Sequence, residues 1–136
     1  MINTYSNALP VLALQSGTVQ TGVTNGAAVD MNVFNNNFRD ALFTITSGTL
    51  TDGSYAVSIE ESDTAGSGYA AVEASRVLGS LPSFAAADDN TVKCVGVRPN
   101  KRYVRLVVTA TSATTGGTLS ATATLSNGGN RPVARA

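Results

Sequence analysis

The sequence predicts an all-β fold, an antiparallel β-sandwich or jelly-roll-like single domain, and three observations carry that prediction. Apolar and polar residues alternate with period two in several short runs, as they do in strands with one face in a core. Turn-forming pairs such as Asn25-Gly26, Asp52-Gly53 and Gly116-Gly117 separate those runs at short intervals. No stretch shows a clear amphipathic helical period, and 136 residues is the length of about one domain.

Residues 1–40 read as irregular with short strands. Within them, 1–17 form an N-terminal arm, where Leu9, Val11, Leu12 and Leu14 have no strand alternation of their own and are expected to pack on a neighbouring subunit. The sandwich domain is placed at 18–126. Strand propensity marks Thr18–Val23 and Ala28–Met31, with the Asn25-Gly26 turn between them. Asn35-Asn36-Asn37 is loop chemistry, because Asn side chains compete for backbone hydrogen bonds.

From Ala41 the pattern sharpens. Ala41–Thr46 is apolar and β-branched, and Asp52-Gly53 after it is a strong hairpin signal. In the next strand Tyr55, Val57 and Ile59 face one side, while Ser54, Ala56, Ser58 and Glu60 face the other. Ser62–Gly68 is a loop. Tyr69–Leu78 supports two readings, a short helix favoured by its alanines or a short strand followed by a turn. Gly79–Asn90, with Pro82 and Asp88-Asp89-Asn90, reads as a loop with one helical turn at most.

The C-terminal half carries the clearest strands. Thr91–Val97 is one, ended by Arg98-Pro99-Asn100. In Lys101–Thr111, Val104, Leu106, Val108 and Ala110 share a face; in the last strand Leu119, Ala121, Ala123 and Leu125 do so. Residues 127–136 have no apolar pattern and read as a tail that is mobile or orders on a partner.

Composition removes most chemistry. Charged residues make up 13% of the chain, against roughly 25% in an ordinary soluble domain. Without histidine there is no Ser-His-Asp triad, Cys-His pair or His-ligated metal, and a single cysteine, Cys94, forms neither an intrachain disulfide nor a multi-thiolate site. The chain is therefore expected not to be an enzyme and to hold no cofactor. No run approaches the ~18 apolar residues of a membrane span, and Met1–Ser6 lacks the basic start of a secretory signal, so a soluble cytoplasmic product is expected.

Net charge is zero by cancellation. Residues 1–89 hold nine acids against two bases, Arg39 and Arg76, a net −7; residues 90–136 hold seven bases and no acid, a net +7. Either the halves neutralise each other within one fold, or the basic half of one subunit meets the acidic half of the next. The basic run Arg98, Lys101, Arg102 and Arg105, with Arg131 and Arg135 in the tail, is accordingly either the solvated start of a strand or a contact surface for an acidic partner. The bases alternate with strand residues and few aromatics accompany them, which argues against nucleic acid.

Other constellations are weaker. Glu60 and Glu61 point to opposite faces of a strand, so they do not converge as a catalytic pair. Oxygen ligands for calcium would come from Asp52, Glu60 and Asp63 or from Asp88-Asp89-Asn90, yet neither set has the spacing of a calcium loop, and turn formation explains both. Cys94 has no nearby base to activate it. Gly116-Gly117 and Gly128-Gly129 lack the strand and helix that flank a phosphate cradle.

One ordered set of runs resembles a group of small structural proteins of tailed bacteriophages. It comprises Leu50-Thr51-Asp52-Gly53-Ser54-Tyr55, Ile59-Glu60-Glu61-Ser62-Asp63, Ala87-Asp88-Asp89-Asn90-Thr91-Val92, Lys101-Arg102-Tyr103-Val104-Arg105 and Ala113-Thr114-Thr115-Gly116-Gly117, and spans about Thr18 to Leu125. Proteins of this kind are small β-sandwiches, many of them capsid decoration or cement proteins. The resemblance implies a virion structural protein assembled in the bacterial host cytoplasm. It implies homotrimers on the outer capsid surface, clamping neighbouring major capsid protein subunits, with no nucleic-acid or membrane partner. The ends, Met1–Gln15 and Gly128–Ala136, depart from the family pattern and suit subunit exchange or capsid contact. The alternative is a phage tail or head-fibre component binding a host-surface glycan. A free-standing carbohydrate-binding module is a third reading, against which the absence of Trp counts.

Overall fold

The alternation in the sequence resolves into two sheets whose apolar faces meet. The computed structural model describes residues 3–15 and 19–134, Val19 and Gln20 by their backbone alone. Strand accounts for 52% and helix for 8%, and the mostly antiparallel sheets pack together as an all-β sandwich. In chain order the strands are β1 (Ala8–Leu14), β2 (Val19–Gln20), β3 (Val23–Asn25), β4 (Val29–Asp30), β5 (Asp40–Leu50), β6 (Ser54–Ser62), β7 (Ala70–Ala71), β8 (Val77–Leu78), β9 (Ser83–Ala85), β10 (Val92–Val97), β11 (Tyr103–Thr111) and β12 (Gly117–Ser126). A four-residue helix, α1 (Thr4–Asn7), precedes them, capped by the Asn3 side chain, which accepts from the Ser6 N–H at 2.7 Å.

Sheet I has the order β1–β12–β5–β10–β8, with β2 also on β12; sheet II has the order β3–β11–β6–β7, with β4 also on β11 and β9 on β6. Between them lie Phe43, Ile45, Val95, Leu119, Ala123 and Leu125 from sheet I, facing Tyr55, Val57, Ile59, Val104, Leu106 and Val108 from sheet II. These residues are the apolar phases expected of the long strands. Each fully buried side chain of this kind contributes about 1.5–3 kcal/mol.

The Asp52-Gly53 pair does not close a hairpin. Strand β5 lies in sheet I and β6 in sheet II, so residues 51–53 arch across the sandwich. The β11–β12 connection crosses beside it, and Asp52 ties the two arches together: its carboxylate accepts from the N–H groups of Thr114, Thr115 and Gly116 at 3.0, 3.2 and 2.8 Å. Those donors hold its carboxyl below the usual carboxylate value. Gly53 adopts φ +82°, and a Cβ there would stand 2.7 Å from the Thr111 carbonyl oxygen. A local turn signal therefore identifies the bend but not the sheet the chain enters next.

The arm and the tail also differ from expectation. Residues 8–14 are a strand paired antiparallel with β12 along its length. A register shift between Leu12 and Leu14 places two consecutive residues, Ala13 and Leu14, inside the core. That bulge is why no alternation is visible there. The tail up to Ala134 packs on its own chain. Asn36 donates to the Asn130 carbonyl at 3.0 Å and accepts from the Asn130 N–H at 2.9 Å, the Val133 N–H donates to the Ser6 carbonyl at 3.0 Å, and Val133 is buried. Where a loop was expected, β9 pairs with β6 and buries Phe84. Residues 69–78 divide into β7, a 3-10 turn at Ala74–Arg76, and β8, the strand-and-turn reading.

Candidate functional site

The acidic and basic halves of the sequence meet inside one chain. Four ion pairs join them: Arg102 to Asp30 at 2.9 Å, Arg105 to Glu60 at 2.8 Å, Lys101 to Asp63 at 3.1 Å and Lys93 to Asp88 at 3.4 Å. The antiparallel pairing of β11 with β6 and β4 produces the first two, since it sets Arg105 opposite Glu60 and Tyr103, beside Arg102, opposite Asp30. Arg102 forks onto both Asp30 oxygens and holds that carboxyl below its ordinary value. Arg105 also stacks on the Tyr69 ring at 4.0 Å. Lys101, Arg102 and Arg105 are thus engaged with their own chain.

A fifth pair is more deeply set. Glu61 is 5% exposed and accepts from Arg76 Nη1 and Nη2 at 2.9 and 2.6 Å and from the Asn100 N–H at 2.9 Å. The Arg76 guanidinium outweighs burial and keeps this carboxyl below its usual range. Glu60 and Glu61 do point oppositely, each to an arginine. The carboxylates considered for calcium are likewise spent: Asp52 on the arch, Glu60 and Asp63 on their cations, Asp88 on the Ala85 N–H and Lys93, and Asp89 on the Leu50 N–H. Cys94 is exposed on β10.

The four apolar residues expected to reach a neighbour divide by their place in β1. Leu9 and Leu14 are buried in the chain's own core and Val11 packs against it, because β1 is a sheet strand and not a free arm. Leu12 alone of the four points outward, 60% exposed. It belongs to a surface the strand pairing assembles. Across the outer face of sheet I, one row runs Pro10, Thr124, Leu42, Gly96, Leu78; the next Leu12, Thr122, Thr44, Cys94; the third Ser120, Thr46, Val92. No charged side chain stands in these three rows. Leu42, Leu78 and Val92 are exposed there as well as Leu12. The outer face of sheet II, by contrast, carries the Arg105–Glu60 pair.

Arg98 and Arg131 sit elsewhere, at the end of the sandwich where β5 begins. With Arg39 they line a cleft of about 670 Å³. Arg135 lies outside the described residues. Sequence reading did not find Arg39, Leu42, Leu78 or Val92. The outward phases of Ala41–Thr46, which holds Leu42, and Leu119–Ser126 are free of charge, and they become a surface only once these strands are known to be neighbours. No protein-family model and no curated protein matches the chain.

Proposed function

We propose that this protein is a non-enzymatic head protein of a tailed bacteriophage, a decoration protein that docks on the outer capsid surface and adds contacts between major capsid protein subunits. The observation that carries the proposal is the uncharged three-row stretch of the outer face of sheet I, bounded at one end by Asp40. A face of threonines, serines and aliphatic residues loses water at little cost, because no Lys, Arg, Asp or Glu has to be stripped of hydration, and its hydroxyls find new partners in an interface. Exposed aliphatic residues gathered on one uncharged face are a mark of interaction sites on soluble proteins.

Covering the exposed parts of Leu12, Leu42, Leu78 and Val92 contributes about 1 kcal/mol each, roughly half the value of complete burial. Such contacts are modest singly, but repetition over a shell makes them collectively strong. The same face leaves room for self-association, and homotrimers at symmetric capsid positions remain part of the proposal. The testing experiment mixes purified protein with expanded heads of its phage lacking it. Saturation at a fixed copy number, with heads more resistant to heat, is expected. No binding to expanded heads at micromolar protein refutes the reading.

A further inference from the structure

We propose that the cleft lined by Arg39, Arg98 and Arg131 is a binding site for an acidic polypeptide segment of a partner protein. Three unconnected stretches of chain bring these arginines together: the residue before β5, the residue after β10, and the tail. Each stretch is fixed by its backbone or its neighbours. The Arg39 N–H donates to the Ser126 carbonyl at 3.2 Å and the Arg98 N–H to the Arg76 carbonyl at 2.9 Å. Before Arg131, the paired Asn36–Asn130 hydrogen bonds hold the tail, and Gly128 leaves the room they need, since a Cβ there would stand 2.5 Å from Asn36 Oδ1.

The cations of the cleft are unpaired in a molecule whose other described cations each meet a carboxylate. Arg76, Lys93, Lys101, Arg102 and Arg105 each face a carboxylate. Arg39, Arg98 and Arg131 make no ion pair among the described residues. One carboxylate, Asp40, lines the cleft with them, and its oxygens are taken by the Ser126 hydroxyl and, at 2.6 Å, the Asn127 amide. Three guanidiniums against one carboxylate leave an excess of two positive charges. Holding like charges together is unfavourable until an anion arrives, and the planar fork of arginine suits carboxylates in pairs.

The shape and the remaining lining favour peptide over nucleic acid. A volume of about 670 Å³ admits several residues, and Asn127, Gly128 and Gly129 offer polar groups to a peptide backbone. No aromatic ring lines the cleft to stack a base. The inference stands apart from whatever sheet I docks on.

The test titrates the full chain with an acetylated tetraglutamate peptide, following backbone amides by NMR in low salt. Saturable shifts centred on Asn127, Gly128 and Gly129 are expected. The double variant Arg98→Gln/Arg131→Gln should bind at least about tenfold more weakly, as loss of charge-assisted hydrogen bonds requires. Both side chains are exposed, so the variant should keep its melting temperature, and Arg105→Gln, on the sheet II face, should bind as the parent does. Shifts that do not saturate, or that persist in the double variant, overturn the proposal. So does tighter binding of inorganic phosphate or a thymidine oligonucleotide than of the peptide, which assigns the cleft to phosphate.

Discussion

Glu60 and Glu61 are neighbours on one strand, yet replacing each by glutamine should have very different effects. The carboxylate of Glu61 takes three hydrogen bonds, two from Arg76 and one from the Asn100 N–H, at a residue only 5% exposed. Glutamine of the same size retains one acceptor and turns an NH2 group toward the guanidinium. Removing one member of a buried pair costs about 3–5 kcal/mol; the Arg76 side chain keeps 17% of its surface in water, and screening brings the cost to about 2–4 kcal/mol. In a chain of this size that lowers the melting temperature by roughly 10 °C. The Glu60–Arg105 pair is more open, with side chains 28% and 23% exposed, so Glu60→Gln should cost at most about 1 kcal/mol. Urea unfolding followed by circular dichroism at neutral pH measures both. The gap for Glu61→Gln should also close in strong acid, where the parent carboxyl is protonated too. Equal costs for the two variants, or a gap unchanged in acid, would show that burial of the Glu61–Arg76 pair does not set the difference.

Two further outcomes follow from the same structure. Asp30, Asp52, Glu61 and Asp88 all have carboxyls held below their ordinary values, so at mildly acid pH the unfolded chain binds more protons than the folded one. Stability should fall as pH drops below about 4.5 and, with no histidine to titrate, stay flat between about pH 5.5 and 7, which melting temperatures across that range will check. Gly53→Ala forces a side chain into φ +82° and against the β11–β12 arch, and should destabilise by roughly 1–3 kcal/mol in urea titration.

Sequence reading succeeded where a strand is long and one-sided. The inward phases of β6, β11 and β12 are legible because apolar residues recur at every second position, strictly in β12 and with Val107 as an added buried residue in β11. It failed where pairing decides. A bulge at Leu12–Leu14 hid β1, and Asp52-Gly53 reads the same in a hairpin and in an arch. Phe84 gave β9 too little context to be recognised. The charge halves illustrate the same limit: their cancellation was visible by counting, but only the register of β11 against β6 and β4 decides that Arg105 meets Glu60 and Arg102 meets Asp30 within one chain. The uncharged face is likewise composed of residues from five strands, adjacent in no stretch of sequence.

Charges placed on this face test the proposed docking surface directly. Leu42→Lys and Val92→Lys place charges on it at exposed positions that leave the core untouched, and Thr109→Lys places the same charge on the exposed surface of sheet II. Occupancy of expanded heads, counted by cryo-electron microscopy with each variant at equal concentration, separates the two faces. The Leu42 and Val92 variants should lose at least about nine-tenths of bound copies, since charge desolvation opposes docking, while Thr109→Lys should bind as the parent does. Full occupancy by the sheet I variants, or loss confined to Thr109→Lys, would exclude sheet I as the docking face.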